Sequence, residues 1–426
     1  MSKAAPSLFA TIASVWALLL GFGILMLGDG LQGTLLAVRA DREGFSATLT
    51  GIIMSSFYVG FLCGSITTPK IMMLVGHVRV FAALAALASA AILVHAVFVT
   101  VSMWIVLRLI SGFCFAGLYV VAESWLNDRA TNRNRGKLLS LYMVVTYLGV
   151  GIGQLFLNLA DPQDYPLFVL TSVLISIAVV PLLLSASSSP NYSDSVSISV
   201  RELYTSSPLG IVGLFIVGLV TATFFALGPV YSQRLGMSLR DISWFMAAAV
   251  VGTVIMQWPI GALSDRFDRR LVLTVATILS AIAAFACIVA ATLSVNHLFL
   301  SVAVFAGLAL PLYSICIAYI NDNLSNNQMI AASGTLVLIG GVGAVAGPTL
   351  VAAVMDAFGN DGFFWCMGGA HLLTGLFAIY RMLRGQRRTG VSKGSVVPAG
   401  VHPASAIYEG IQRHAQETST DEASDQ

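Results

Sequence analysis

The sequence predicts an all-α membrane protein of twelve transmembrane helices arranged as two pseudo-symmetric six-helix bundles. Three observations carry this. The chain has 426 residues, 57% hydrophobic and only 10% charged, with a mean hydropathy of +0.86. Soluble domains carry roughly 25% charged residues, so too few charges remain here to cover a water-facing surface. The apolar residues come in blocks of about twenty, the length a helix needs to cross roughly 30 Å of hydrocarbon. Landmarks of the first half also recur in the second.

The blocks fall in order at 8–38, 49–68, 80–99, 102–125, 138–159 and 167–184, and these predict helices one to six. Blocks at 209–231, 242–263, 271–293, 298–320, 329–355 and 362–383 predict helices seven to twelve. The division is therefore a bundle over 1–184, a linker over 185–207, a second bundle over 208–388 and a tail over 389–426. The linker is rich in serine (Ser185, Ser187, Ser188, Ser189) and broken by Pro190, which suits a flexible connection with one amphipathic turn at 200–204. The tail is polar and small-residued, the composition of disordered chain. The first block is long and lacks a small-residue cleavage site, so it reads as a retained helix. Cys63, Cys114, Cys287, Cys316 and Cys366 all lie in apolar blocks. They read as small buried hydrophobes, not as disulfide or metal ligands.

Orientation follows from the basic residues. Of 22, Arg39, Arg42, Arg234 and Arg240 lie in loops on one side and Arg108 lies inside a helix. The rest gather on the other side, which the positive-inside rule makes cytoplasmic. Both termini are then expected in the cytoplasm of a bacterial inner membrane, the chain crossing many times.

A constant shift places Tyr119 on Tyr313, Asn127 and Asp128 on Asn321 and Asp322, Gly149 on Gly343 and Gly153 on Gly347. Slightly different shifts place Gly44-Phe45-Ser46 on Gly236-Met237-Ser238 and Gly64 on Gly261. An ordered set across several helix pairs points to duplication. Six helices per half is even, so the repeats are parallel, related by an axis along the membrane normal.

The sharpest motif joins helices eight and nine: Gly261-Ala262-Leu263-Ser264-Asp265-Arg266-Phe267-Asp268-Arg269-Arg270. It resembles the G-x-L-x-D-R-x-x-x-R loop signature of the major facilitator superfamily. The resemblance implies that family's fold and a gating role for Gly261, Asp265, Arg266 and Arg270. In physical terms, the glycine lets helices approach, and the aspartate can accept hydrogen bonds from a neighbouring helix N-terminus. The first-half counterpart, Gly64-Ser65-Ile66-Thr67-Thr68-Pro69-Lys70, departs from the pattern. The expected latch is accordingly asymmetric, Asp265 working against the start of helix five near Arg135.

Helix four carries Arg108-Leu109-Ile110-Ser111-Gly112, similar to an R-x-x-x-G element of the same superfamily. An arginine inside hydrocarbon is costly unless it faces a cavity or a partner. Helix one offers Asp29, flanked by Gly28 and Gly30. By rise per residue the two lie within about 6 Å of the same depth, within an arginine's reach. Three readings stand: a carboxylate whose protonation is coupled to solute binding, a static ion pair holding the first bundle together, or a solvated binding-site anion that Gly28 and Gly30 let other groups approach. A stripe of Arg108, Gly112, Phe115 and Tyr119 at helical spacing is expected to face the cavity.

Glu123-Ser124-Trp125-Leu126, the basic run after it, and Gln257-Trp258-Pro259-Ile260-Gly261 resemble the YcaD-like branch of the superfamily. Glu123 is expected either to close an inner gate against that basic run, to serve as a second proton site, or to be a plain interfacial charge. Gly149, Gly151 and Gly153 on helix five, and Gly343 and Gly347 before Pro348 on helix eleven, suit close helix packing. Gln32, Tyr119, Gln154, Asn158, Gln257, Trp258 and Tyr313 are the candidate solute contacts. The chain holds no H-E-x-x-H, no nucleotide-binding glycine loop and no clustered His, Cys and carboxylates. An enzyme is disfavoured, and neither metal, cofactor nor nucleic acid is expected. The resemblance implies a secondary transporter, expected as a monomer, with protons as coupling ion and a small organic solute; a transporter-derived receptor or scaffold is the alternative, and uptake and efflux both stay open.

Overall fold

The computed structural model describes residues 8–129, 135–184, 199–324 and 326–384. The tail over 389–426 and most of the linker lie outside them. Of the linker, the short helix Val200–Ser206 is described, its start fixed by Ser199 Oγ accepting from Glu202 N at 3.3 Å.

Every regular element among the described residues is helical, and twelve helices are long and apolar enough to cross a membrane. The first six are Leu8–Arg42, Ala47–Val75, His77–Val97, Val101–Arg129, Arg135–Leu155, and Pro166–Ile177 continued by Val179–Leu184. The second six are Pro208–Arg234, Leu239–Arg266, Arg269–Leu293, Val295–Ala309 continued by Leu312–Asn321, Asn326–Phe358 and Gly362–Arg384. Most run a few residues past their apolar blocks, because backbone hydrogen bonding continues to a polar cap after hydropathy has fallen. Helix ten breaks at Pro311, which has no N–H to continue the ladder. Helix five ends in a 3-10 turn over Phe156–Leu159.

The sequence repeat returns as geometry. Gly44 and Gly236 both take positive φ, at 79° and 77°, a conformation only glycine adopts without strain. Each is followed two residues later by a serine that caps the next helix. Ser46 accepts from Leu49 N, and Ser238 from Asp241 N in a full capping box. Packing repeats as well. Helix one lies on five as seven lies on eleven, and two lies on four as eight lies on ten. Helices three and six pair outside the first half, and nine and twelve outside the second. Gly153 and Gly347 show why the sequence permits this. A Cβ on Gly153 would run into the Leu27 carbonyl, and one on Gly347 into that of Leu219. The halves meet through helix two against eleven, five against eight, and one against seven. Large apolar side chains such as Leu74, Leu300 and Leu373 remain exposed on the perimeter, where lipid, not water, is their matching solvent.

Candidate functional site

Between the halves lies a cavity of about 1080 Å³, its open mouth included. Helix one lines it with Asp29, Gly30, Gly33 and Thr34, helix two with Met54, Phe57 and Tyr58, helix four with Arg108, and helix five with Tyr147, Val150 and Gln154. The facing wall is Val217, Gly218, Thr221, Ala222, Phe225 and Ala226 of helix seven, with Leu310, Tyr313 and Ala344. The walls differ in character. Both charged lining residues, Asp29 and Arg108, belong to the first half; Thr221, which the shift pairing Gly44 with Gly236 places on Asp29, stands in the uncharged wall.

Arg108 is 6% exposed. Its guanidinium carbon stands 4.3 Å from the centre of the Phe57 ring, a cation–π contact. Asp29 and Tyr58 act on it electrostatically, and its Nε has no hydrogen-bond partner among the described residues. So the two intramembrane charges that the sequence singled out do share one cavity. Tyr58 was not among the expected residues, since nothing in its sequence neighbourhood separates it from an ordinary core tyrosine.

Gln154 and Tyr313 line the cavity, and Gln154 Oε1 accepts from Thr34 Oγ1. Five other expected contacts are not among its lining residues. Gln32 is buried on helix one, both amide atoms lacking a hydrogen-bond partner among the described residues. Tyr119 is buried in the first-half core, packed edge-on to Phe22 and donating to Met26 Sδ at 3.0 Å. The expected stripe on helix four therefore faces the cavity only at Arg108. One turn on, Gly112 admits the backbone of helix two, and the Phe57 carbonyl closes over it. Asn158 is exposed and donates to the Leu155 carbonyl at 2.9 Å. It lies in the 3-10 turn that ends helix five, not on the α-helical face that carries Gln154. Gln257 donates to Ser314 Oγ at 3.2 Å, and Trp258 is 79% exposed.

At the end of the bundle holding the helix eight–nine motif, Arg269 is the central residue. It is 3% exposed and donates to Asp322 Oδ1 at 2.6 Å, to the Ala318 carbonyl at 3.0 Å and to Asp265 Oδ1 at 3.4 Å. It ties the ends of helices eight, nine and ten together. The motif spacing pointed to Arg266 and Arg270 instead. Arg266 is exposed, and Arg270 stands 5.7 Å from the Tyr319 ring. Gly261 is half-buried at the end of helix eight. The signal for Arg269 was Asp322, an acid at the end of an apolar helix that needs a cation. Glu123 is 3% exposed and accepts from Tyr142 Oη at 3.2 Å. Arg135 begins helix five, but its side chain and the basic run before it lie outside the described residues.

The opposite end carries a cluster that the sequence did not announce. Arg234 of helix seven reaches Asp41 of helix one at 3.4 Å and Asp356 of helix eleven at 3.2 Å. Asp356 also accepts from Ala47 N, Thr48 N and Thr48 Oγ1 at the start of helix two. Deeper along the same interface Ser55 meets Thr349 at 2.8 Å. These contacts join the two halves at the Asp41 end.

Twelve apolar helices, a duplicated six-helix plan and an amphipathic cavity between the halves make a transporter architecture. A sequence profile described as Major Facilitator Superfamily matches residues 18–249 and 210–411. The "uncharacterized MFS-type transporter YcaD" of Escherichia coli O139:H28 (strain E24377A / ETEC) is 28% identical over 352 residues, 82% of this chain and 91% of that protein. The crystal structure of the nucleoside transporter NupG superposes with a TM-score of 0.72 at 13% identity, covering 88% of this chain and 99% of NupG. A bacterial homologue of the human lysosomal transporter Spinster, solved inward-facing and unoccupied, gives 0.65 at 13% identity, covering 95% and 98%. The chain belongs to the major facilitator superfamily, as a multi-pass membrane transporter resembling YcaD.

Proposed function

We propose that the protein is a secondary active transporter that moves a small organic solute across a bacterial inner membrane by alternating access, driven by protons. One observation carries the reading: a lone acid and a lone base, Asp29 and Arg108, line the cavity between the halves. Ionisable groups at membrane depth are costly and persist where they serve a solute or proton path. Asp29 is the proton site and Arg108 its counter-charge; Tyr58 and Tyr119 interact with Asp29 electrostatically, and Tyr147 and Tyr313 also line the cavity. Protonation of Asp29 releases its hold on Arg108 and biases which side opens. Gln154 and Tyr313 contact the solute.

With both termini in the cytoplasm, the Asp41 end faces outward. Its contacts between the halves support a state closed on that side. Helix two against eleven and helix five against eight are then the surfaces that rock. Glu123 and the Asp265–Arg269–Asp322 cluster stand at the inner gate, with Gly261, Arg266 and Arg270 of the same motif; Arg135, at the start of helix five, is the further gating residue proposed from the sequence. The protein works as a monomer in the bilayer, with no cofactor.

Liposomes containing the purified protein provide the test, with solute flux measured against an imposed pH gradient. Asp29→Asn is expected to lose gradient-driven accumulation while keeping solute exchange. Full accumulation by that variant would remove Asp29 from coupling. Specific solute binding by the wild type with no flux of solute or proton would favour a transporter-derived receptor.

A further inference from the structure

We propose that the solute is an amphipathic organic monoanion, its carboxylate held by Arg108 and its apolar body lying against the second-half wall. This rests on the transporter reading and narrows its substrate class. Arg108 is more than nine-tenths buried, lines the cavity, and has an Nε donor with no partner among the described residues. A guanidinium carries five donors in a planar fork that matches a carboxylate, and none of them can be discharged by deprotonation. Phe57 occupies one face of the group. That leaves hydrogen bonding to the edge, the geometry of two-point carboxylate recognition.

The rest of the cavity sets the size and polarity of the partner. Its second-half lining contains no charged residue; Val217, Ala222, Phe225, Ala226 and Leu310 form an apolar and aromatic surface. The solute thus has one ionic end and one apolar end. A polyanion finds a single cation here, and Asp29 beside it repels surplus negative charge. A cationic solute would have to sit beside the fixed charge of Arg108. When Asp29 is protonated the site is net positive, and an anion restores neutrality, so proton and solute enter as a neutral couple. Charge complementarity of this kind sets specificity more than raw affinity.

The test uses three probes that share one body: 4-phenylbutyrate, 4-phenylbutyramide and 4-phenylbutylamine. Binding to the purified full-length protein is measured by calorimetry for the wild type, Asp29→Asn, Arg108→Gln and the double variant. The double variant removes both charges together, and its thermal midpoint checks that it is folded. The wild type is expected to bind the carboxylate at least tenfold more tightly than the amide, the scale of one charge-assisted hydrogen bond, and the amine weakest. Asp29→Asn should bind the carboxylate several-fold more tightly. Arg108→Gln, which keeps Asp29, should bind the acid no more tightly than the amide; the double variant should bind the two within about twofold of each other, with amide affinity unchanged.

Tightest binding of the amine, lost in Asp29→Asn, would overturn the proposal in favour of a cationic solute. Equal binding of acid and amide by the wild type, a preference that survives Arg108→Gln, or no binding of any probe would also overturn it. The transporter reading fails separately: a carboxylate preference without movement of probe or proton in liposomes leaves the anion site standing and removes the carrier. Liposomes that carry a neutral or cationic solute, indifferent to Arg108→Gln, do the reverse.

Discussion

The carboxylate of Asp356, at the end of helix eleven, caps the start of helix two in the other half, accepting from Thr48 N at 2.8 Å and Thr48 Oγ1 at 2.7 Å. An acid in the last turn of a helix opposes that helix's own dipole. Here the unpaired N–H groups of a second helix offset the penalty, so the cap exists only while the halves are closed at this end. Loss of an N-cap costs about 0.5–2 kcal/mol, enough to change a closed-to-open ratio by up to about thirtyfold. Spin labels at Leu159 and Leu235, one exposed site in each half, report the separation in a Cys63→Ser background. Asp356→Ala should raise the long-distance population at least severalfold. An unchanged distance distribution would mean the cap does not hold this end.

Arg234 is the second component of the same lock, bridging Asp41 at 3.4 Å and Asp356 at 3.2 Å with 27% of its side chain exposed. Partly solvated pairs of this kind contribute about 0.2–1 kcal/mol each and weaken with salt. Arg234→Gln should therefore open the end less than Asp356→Ala does, and mostly at low ionic strength. The double variant should fall short of the sum, because both remove the Arg234–Asp356 contact. A salt-independent effect larger than that of Asp356→Ala would assign the lock to Arg234 alone.

Arg269 makes the opposite case, a buried cation whose contacts with Asp265, Ala318 and Asp322 lie within the second half. Its 2.6 Å contact with Asp322 is buried on the arginine side and 21% exposed on the aspartate side, and breaking one side of a fully buried pair costs about 3–5 kcal/mol, the upper bound here. Asp322→Asn or Arg269→Gln should lower the thermal midpoint of the purified protein by several degrees. An Arg269→Met, Asp322→Leu double variant should recover much of that loss, since two matched apolar groups leave no orphaned charge. Additive losses would show that each residue has a separate, more important partner.

The spans, and the need of Asp29 and Arg108 for a cavity, were legible in the sequence because lipid imposes rules that composition must obey: about twenty apolar residues per crossing, and a reason for every charge within one. The Gly44 and Gly236 turns were legible because the glycine and the capping serine both recur. The lock at Asp356 was not. Arg234, Asp41 and Asp356 are far apart in sequence, and each alone looks like an ordinary charge at a helix end. Nor does hydropathy tell which face of an apolar helix meets lipid, which is why Trp258 reads as a solute contact and stands 79% exposed. Asn158 was misplaced for a local reason, a 3-10 turn that its residue types do not signal.

Glycine positions in helices one and five separate packing from access to the cavity. A methyl group on Gly153 would collide with the Leu27 backbone, which cannot yield by a rotamer change, so Gly153→Ala should cost about 1–3 kcal/mol by overpacking. Gly33 lines the cavity, and nothing lies within 4 Å of where its Cβ would be. Gly33→Ala should fold with an unchanged or slightly higher thermal midpoint, because alanine also lowers the entropy of the unfolded chain. Its added methyl projects into the cavity, so solute affinity should change while stability does not. Equal destabilisation by the two variants would mean that helix one is packed against a surface at Gly33 as well, and that the cavity closes there.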